Sequence, residues 1–108
     1  MRQHFILCGL GRIGWRVLEQ LRAAGADVAV VDNRACADDP RLEGAALVSG
    51  DCRQPDVLRR AGLEHARAVL IMTSDDLVSL STALLVRNLH PTIRVIVRLF
   101  NQSLLTRL

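Results

Sequence analysis

A short apolar run that stops at a spaced set of glycines leaves a chain few ways to fold. Phe5-Ile6-Leu7-Cys8 reads as strand, and Gly9, Gly11 and Gly14 follow it as G-x-G-x-x-G. From about Ile13 onward the residues look helical, with Ile13, Val17, Leu18 and Leu21 on one apolar stripe. Strand, glycine turn and helix give the pattern a physical meaning. Gly9 permits a tight turn, Gly11 lets backbone approach a pyrophosphate, and Gly14 lets the helix pack close to the strand. The free N–H groups at the helix start, and their partial positive charge, suit phosphate. Alone the pattern is weak, because seven glycines in 108 residues can produce it by chance. Support has to come from the rest of the chain.

The rest alternates in kind. Strands are expected at Gln3–Cys8, Asp27–Asp32, Ala45–Ser49, Arg67–Met72 and Ile93–Leu99. Helices are expected at Ile13–Ala24, Pro55–Ala61 and Asp75–Leu89, with a further one beginning near Asn101 and cut short at Leu108. Asn33–Gly44 reads as a loop with a short helical turn. Gly25, Gly62 and Pro91 sit where helices should stop, and Pro55 where one should start. This order predicts one α/β domain over residues 1–108: a Rossmann-like, doubly wound parallel sheet of order 3-2-1-4-5. The helix at Asp75–Leu89 is apolar on more than one face. One face should cover the sheet; the other needs neighbouring loops or, most simply, a second subunit.

Composition removes several chemistries. All 14 basic residues are arginine, and lysine and tyrosine are absent. A Walker A loop and a Schiff base both need lysine. The arginines are scattered and only three residues are aromatic, which argues against nucleic acid. No apolar run approaches a membrane span, and Met1-Arg2-Gln3-His4 leads straight into a strand. A cytoplasmic setting follows as the expectation, alone or at the cytoplasmic face of a larger assembly. Cys8, Cys36 and Cys52 are too few and too spread for a disulfide framework or zinc site, and read as reduced structural thiols. His4, His65 and His90 have no partner at metal or catalytic spacing. No nucleophile triad or catalytic carboxylate pair stands out.

Asp32 supplies the first independent support for the glycine loop. It ends the second strand at roughly the 20-residue spacing where a carboxylate can accept from both ribose hydroxyls of an adenosine. It disfavours a 2′-phosphate, although Arg34 just beyond it would tolerate one. Asp51, after Gly50, can accept from an adenine amino group or can simply cap its own turn. Thr73 and Ser74 close the fourth strand, across the switch point from the first, where they can reach ribose or phosphate or cap the next helix. Arg12 sits inside the glycine loop, placed to bend over phosphates or reach across an interface.

These residues together resemble a known family. I-L-C-G-L-G-R-I-G, V-V-D, G-D-C, V-L-I-M-T-S-D-D and R-V-I-V-R-L-F-N are similar to the nucleotide-binding N-lobe of RCK domains, also called TrkA-N or KTN, over essentially the whole chain. Members regulate potassium channels and transporters through ligand-driven changes in an assembly. The resemblance implies that Gly9, Gly11 and Gly14 cradle phosphates, with Leu10, Arg12 and Ile13 completing the loop. It implies that Asp32, followed by Asn33, binds the adenosine ribose, that Asp51 and Cys52 lie at the adenine, and that Thr73 and Ser74 flank the nucleotide. Arg12 would contact terminal phosphates, including those held by a neighbouring subunit. NAD(H) is the expected ligand, with ATP, ADP or AMP as alternatives. The expected partners are further copies of the chain and a membrane transport subunit. The expected role is regulatory, not enzymatic. Two other readings stay open: the cofactor-binding half of an NAD-dependent oxidoreductase whose catalytic domain lies elsewhere, and an oligomerisation module without ligand.

Overall fold

The computed structural model describes residues 1–101. Five strands form the sheet: β1 (Phe5–Cys8), β2 (Val28–Asp32), β3 (Ala46–Ser49), β4 (Ala68–Ile71) and β5 (Arg94–Val97). Every pair is parallel, and the order is β3-β2-β1-β4-β5, as the alternation of elements requires. Each strand is a residue or more shorter than the apolar runs imply. The expected helix from Asn101 lies outside the described residues, Asn101 apart.

Strand alternation divides the core between two faces. Ile6, Cys8, Ala29, Val31, Val69 and Ile71 point to one side, where α2 (Pro55–Arg60) and α3 (Asp76–Leu89) cover them. Leu7, Val28, Val30 and Leu70 point to the other, under α1 (Arg12–Ala23) and the 3-10 turn Pro40–Leu42. The three central strands are buried on both faces, which is why they read as unbroken apolar runs.

The sheet-facing stripe of α3 is not the leucine-rich one. Ser79, Thr82 and Val86 are fully buried, whereas Leu77 and Leu84 are 66% and 64% exposed. Small residues let the helix lie close to the strands. Their hydroxyls stay satisfied: Thr82 donates to Val78 O at 2.7 Å, and Ser79 Oγ meets Thr73 Oγ1 at 2.6 Å. Among the described residues, neighbouring loops therefore leave Leu77 and Leu84 of α3 exposed.

The glycine loop is held by close packing. An added Cβ at Gly14 would lie 1.9 Å from the Gly9 carbonyl oxygen, whereas one at Gly11 would meet nothing within 4 Å. Gly9 itself has φ +97° and backs onto Met72 and Thr73. Gly14→Ala is therefore expected to destabilise the fold by about 3 kcal/mol in denaturant titration. Gly11→Ala, at the N-cap of α1, should cost about 1 kcal/mol or less.

Candidate functional site

At the carboxyl ends of the strands lies a cleft of about 1090 Å3. It opens at the switch point between β1 and β4, where the chain winds in opposite directions on the two sides of β1. Eleven of the twelve residues expected from the sequence line it: Gly9, Leu10, Gly11, Arg12 and Ile13 from the loop, Asp32 and Asn33 beyond β2, Asp51 and Cys52 beyond β3, and Thr73 and Ser74 beyond β4. Gly14 does not; it is the packing glycine that brings α1 against Gly9.

Leu10 anchors the loop. Its side chain is buried in the α1-side core, and both its backbone groups are tied. The Leu10 N–H donates to Asp32 Oδ1 at 2.9 Å, and Arg41 Nη1 donates to Leu10 O at 3.0 Å. Asp32 Oδ2 also accepts from the N–H groups of Arg34 (2.9 Å) and Ala35 (2.7 Å). An ionised carboxylate has about four acceptor positions. Backbone groups occupy three of those on Asp32, so one remains for a ligand hydroxyl rather than the two a ribose diol would use. Asp32 is first a strut joining β2 to the glycine loop.

Four arginines line the cleft, and they differ in what they face. Arg41 forks onto Asp39, with Nη2 2.7 Å from Oδ2 and its backbone N–H 2.9 Å from Oδ1. Arg53 repeats the same geometry on Asp51, again at 2.7 and 2.9 Å. Each arginine holds its carboxyl below the usual carboxylate range, chiefly by side-chain hydrogen bonding. Among the described residues, the guanidinium groups of Arg12 and Arg34 form no ion pair. The arginines without an ion pair thus belong to the glycine loop and to the turn after Asp32, in a cleft also lined by five aspartates.

Thr73 and Ser74 do not cap α3. Asp75 does, accepting from Leu77 N (2.9 Å) and Val78 N (3.2 Å), while Thr73 Oγ1 donates to Asp75 O at 3.0 Å. The cleft residues not anticipated are chiefly Asp39, Arg41, Arg53, Asp75 and Phe100. A signal existed for three of them, Asp39, Arg41 and Arg53. Asp-x-Arg occurs at 39–41 and 51–53, the spacing at which a turn lets an arginine fold back onto its own acid.

A parallel sheet of this order, with a glycine turn and a helix N-terminus at its switch point, defines the class of Rossmann-like nucleotide-binding domains. Residues 5–108 match the TrkA-N domain family, and the chain belongs to it. Potassium channel protein 1 of Methanocaldococcus jannaschii is 25% identical over 114 residues, covering 100% of this chain and 33% of that protein. A putative K(+) efflux antiporter KefB of Alkalimonas amylolytica is 33% identical, covering 95% of this chain and 16% of that protein. The chain therefore spans a third or less of these relatives. Among solved structures, ADP-bound GsuK superposes with a TM-score of 0.81 at 25% identity, covering 94% of this chain and 26% of that one. The NAD(P)-binding domain of an exopolyphosphatase-related protein from Archaeoglobus fulgidus gives 0.80 at 30% identity, covering 94% and 77%.

The Asp51 carboxyl offers a direct check on the rim. Its folded-state pKa lies below the unfolded value, so the pair with Arg53 contributes above the ordinary carboxylate range and fades as pH falls through the depressed value. In an NMR titration, Asp51 is expected to titrate below 3.8, and Arg53→Ala to bring it back toward that value.

Proposed function

We propose that residues 1–108 form a single RCK N-lobe that senses a nucleotide and regulates a potassium channel or transporter. The observation that carries this reading is the distribution of charge in the cleft. Among the described residues, Arg12 within the glycine loop and Arg34 beyond β2 form no ion pair, and Gly11 leaves open space for an approaching phosphate. Helix α1 begins there and directs its free N–H groups at the same place. Asp32 fixes the loop and keeps one acceptor position for a ribose hydroxyl. The ADP held by GsuK and the NAD(P)-binding role of the Archaeoglobus domain support an adenine nucleotide, with NAD(H) first and ATP, ADP or AMP second. Catalysis is the weaker reading, because Asp32, Asp39, Asp51 and Asp75 already have strong local partners.

A nucleotide that binds two conformations unequally shifts their populations, and a transport partner would read that shift. Calorimetric titration with NADH, NAD, ATP, ADP and AMP tests the reading. At least one should bind well below millimolar. Arg12→Ala should weaken it by about tenfold, the effect of losing one charge-assisted phosphate contact. Binding no tighter than millimolar for all five rejects the proposal.

We further infer that the chain works as a homodimer or larger ring. Leu77 and Leu84 lie seven residues apart on one stripe of α3 and are largely exposed, as is Phe100. Light scattering should report a mass of two chains or more, and Leu84→Asp should reduce it to one. A wild-type monomer at high concentration would refute this arrangement.

A further inference from the structure

Arg41 and Arg53 grip their acids in the same way, yet among the described residues only Arg41 also holds the glycine loop. Each forks Nε and Nη2 onto the carboxylate two residues before it. Arg41 adds one bond, from Nη1 to Leu10 O at 3.0 Å. Three of the five N–H donors of a guanidinium are then committed. The seat of Arg41 is firm. Leu42 beside it is buried in the same core cluster as Leu10. Asp39 caps the 3-10 turn by accepting from Arg41 N, and Leu42 N donates to Asp39 O at 3.0 Å.

The consequence lies in the peptide unit between Leu10 and Gly11. The C=O and N–H of a trans peptide point in opposite directions, and no peptide among the described residues is cis. With Leu10 O turned to Arg41, the Gly11 N–H faces away from it. Gly11 lines the cleft, and its N–H has no hydrogen-bond partner among the described residues. Turning this peptide over exchanges the two groups. It carries φ of residue 11 from −86° into the positive region, which glycine enters at little cost and other residues do not. Leu10 N, held by Asp32 Oδ1, belongs to the preceding peptide and does not by itself oppose the turn. The glycine that leaves room for a ligand therefore also leaves the loop two orientations.

We propose that Arg41 is the positioning residue of the glycine loop: by holding Leu10 O it keeps the Gly11 N–H, rather than a carbonyl oxygen, facing the phosphate of a bound nucleotide. The phosphate in that statement rests on the nucleotide reading above; the choice of peptide orientation does not. Asp39 acts through Arg41, fixing the guanidinium where Nη1 reaches Leu10 O. Without this strap the peptide samples both orientations, and in the turned one a carbonyl dipole opposes an anion.

The test begins with the 108-residue chain free of ligand, in NMR relaxation dispersion. Arg41→Ala should introduce microsecond-to-millisecond exchange at the Gly11 amide that the unaltered chain lacks. Adding Gly11→Ala should quench it, because the turned peptide would put an alanine at positive φ. Arg53→Ala, which removes the matching ion pair, should leave Gly11 quiet. A flat profile at Gly11 in Arg41→Ala, or exchange that survives Gly11→Ala, overturns the proposal. Calorimetry with ADP reads the consequence. Arg41→Ala and Arg41→Lys should both bind about tenfold more weakly, as when the competent orientation falls to about a tenth of the population. An ammonium keeps the charge but not the fork. Asp39→Asn separates position from charge. It makes the cleft less negative, so a purely electrostatic role requires tighter ADP, whereas loss of the Arg41 seat weakens it severalfold. Tighter binding by Asp39→Asn, or full affinity in Arg41→Lys, overturns the assignment. If ADP fails to bind the unaltered chain, the nucleotide reading loses its support from ADP, while the ligand-free exchange still decides the role of Arg41.

Discussion

A carbonyl oxygen sits where the side chain of residue 14 would begin. An ideal Cβ there would be 1.9 Å from Gly9 O, a separation no packing adjustment relieves while both backbones hold their places. Much of the cleft depends on that proximity. It brings the first turn of α1 against the end of β1, so the helix start faces the cleft rather than the side of the sheet. Leu10 is then bolted in two directions, to β2 through Asp32 and to the 3-10 turn through Arg41. A loop described by its flexible residues is in fact fixed by its least flexible one.

The charges around the cleft form a second layer of order. Three Asp-x-Arg turns occur, at 32–34, 39–41 and 51–53, and the acid behaves differently in the first. Asp39 and Asp51 are gripped by the arginines two residues on. Asp32 takes the backbone N–H of Arg34 but not its guanidinium, because its other oxygen is drawn to Leu10 N. Among the described residues the Arg34 guanidinium has no ion pair. Scaffold and electrostatics are set by one carboxylate.

Much of this was legible in the sequence because it is local or periodic. Alternating strand and helix patterns lead to the sheet order, and the spacing from Gly14 to Asp32 places an acid at the cleft. The ladder hydrogen bonds stop sooner than the apolar runs, so strand ends were less legible. Apolarity did not tell which face of α3 meets the sheet: Leu77 and Leu84 face outward, while Ser79 and Thr82 face the sheet, because close approach rewards small side chains whose hydroxyls find local partners. The packing of the turn beyond β3 left no trace in the local pattern. A Cβ added at Gly50 would lie 2.7 Å from Val57 Cγ2 of α2, a proximity that no periodicity encodes.

Asp76 begins α3 directly beside the cleft residue Asp75, and its carboxylate accepts from the backbone N–H groups of Phe100 (2.9 Å) and Asn101 (2.6 Å). The chain beyond β5 is thus tethered at the mouth of the cleft, with the Phe100 ring in the cleft wall and the Arg98 guanidinium 5.1 Å from its centroid. In mechanical terms the segment after β5 and the cleft share one fulcrum. A displacement of a few tenths of an ångström at Ser74 or Asp75 needs no long relay through the sheet to reach Asn101. The Asp76 carboxylate, at the first turn of the 14-residue α3, makes the connection directly.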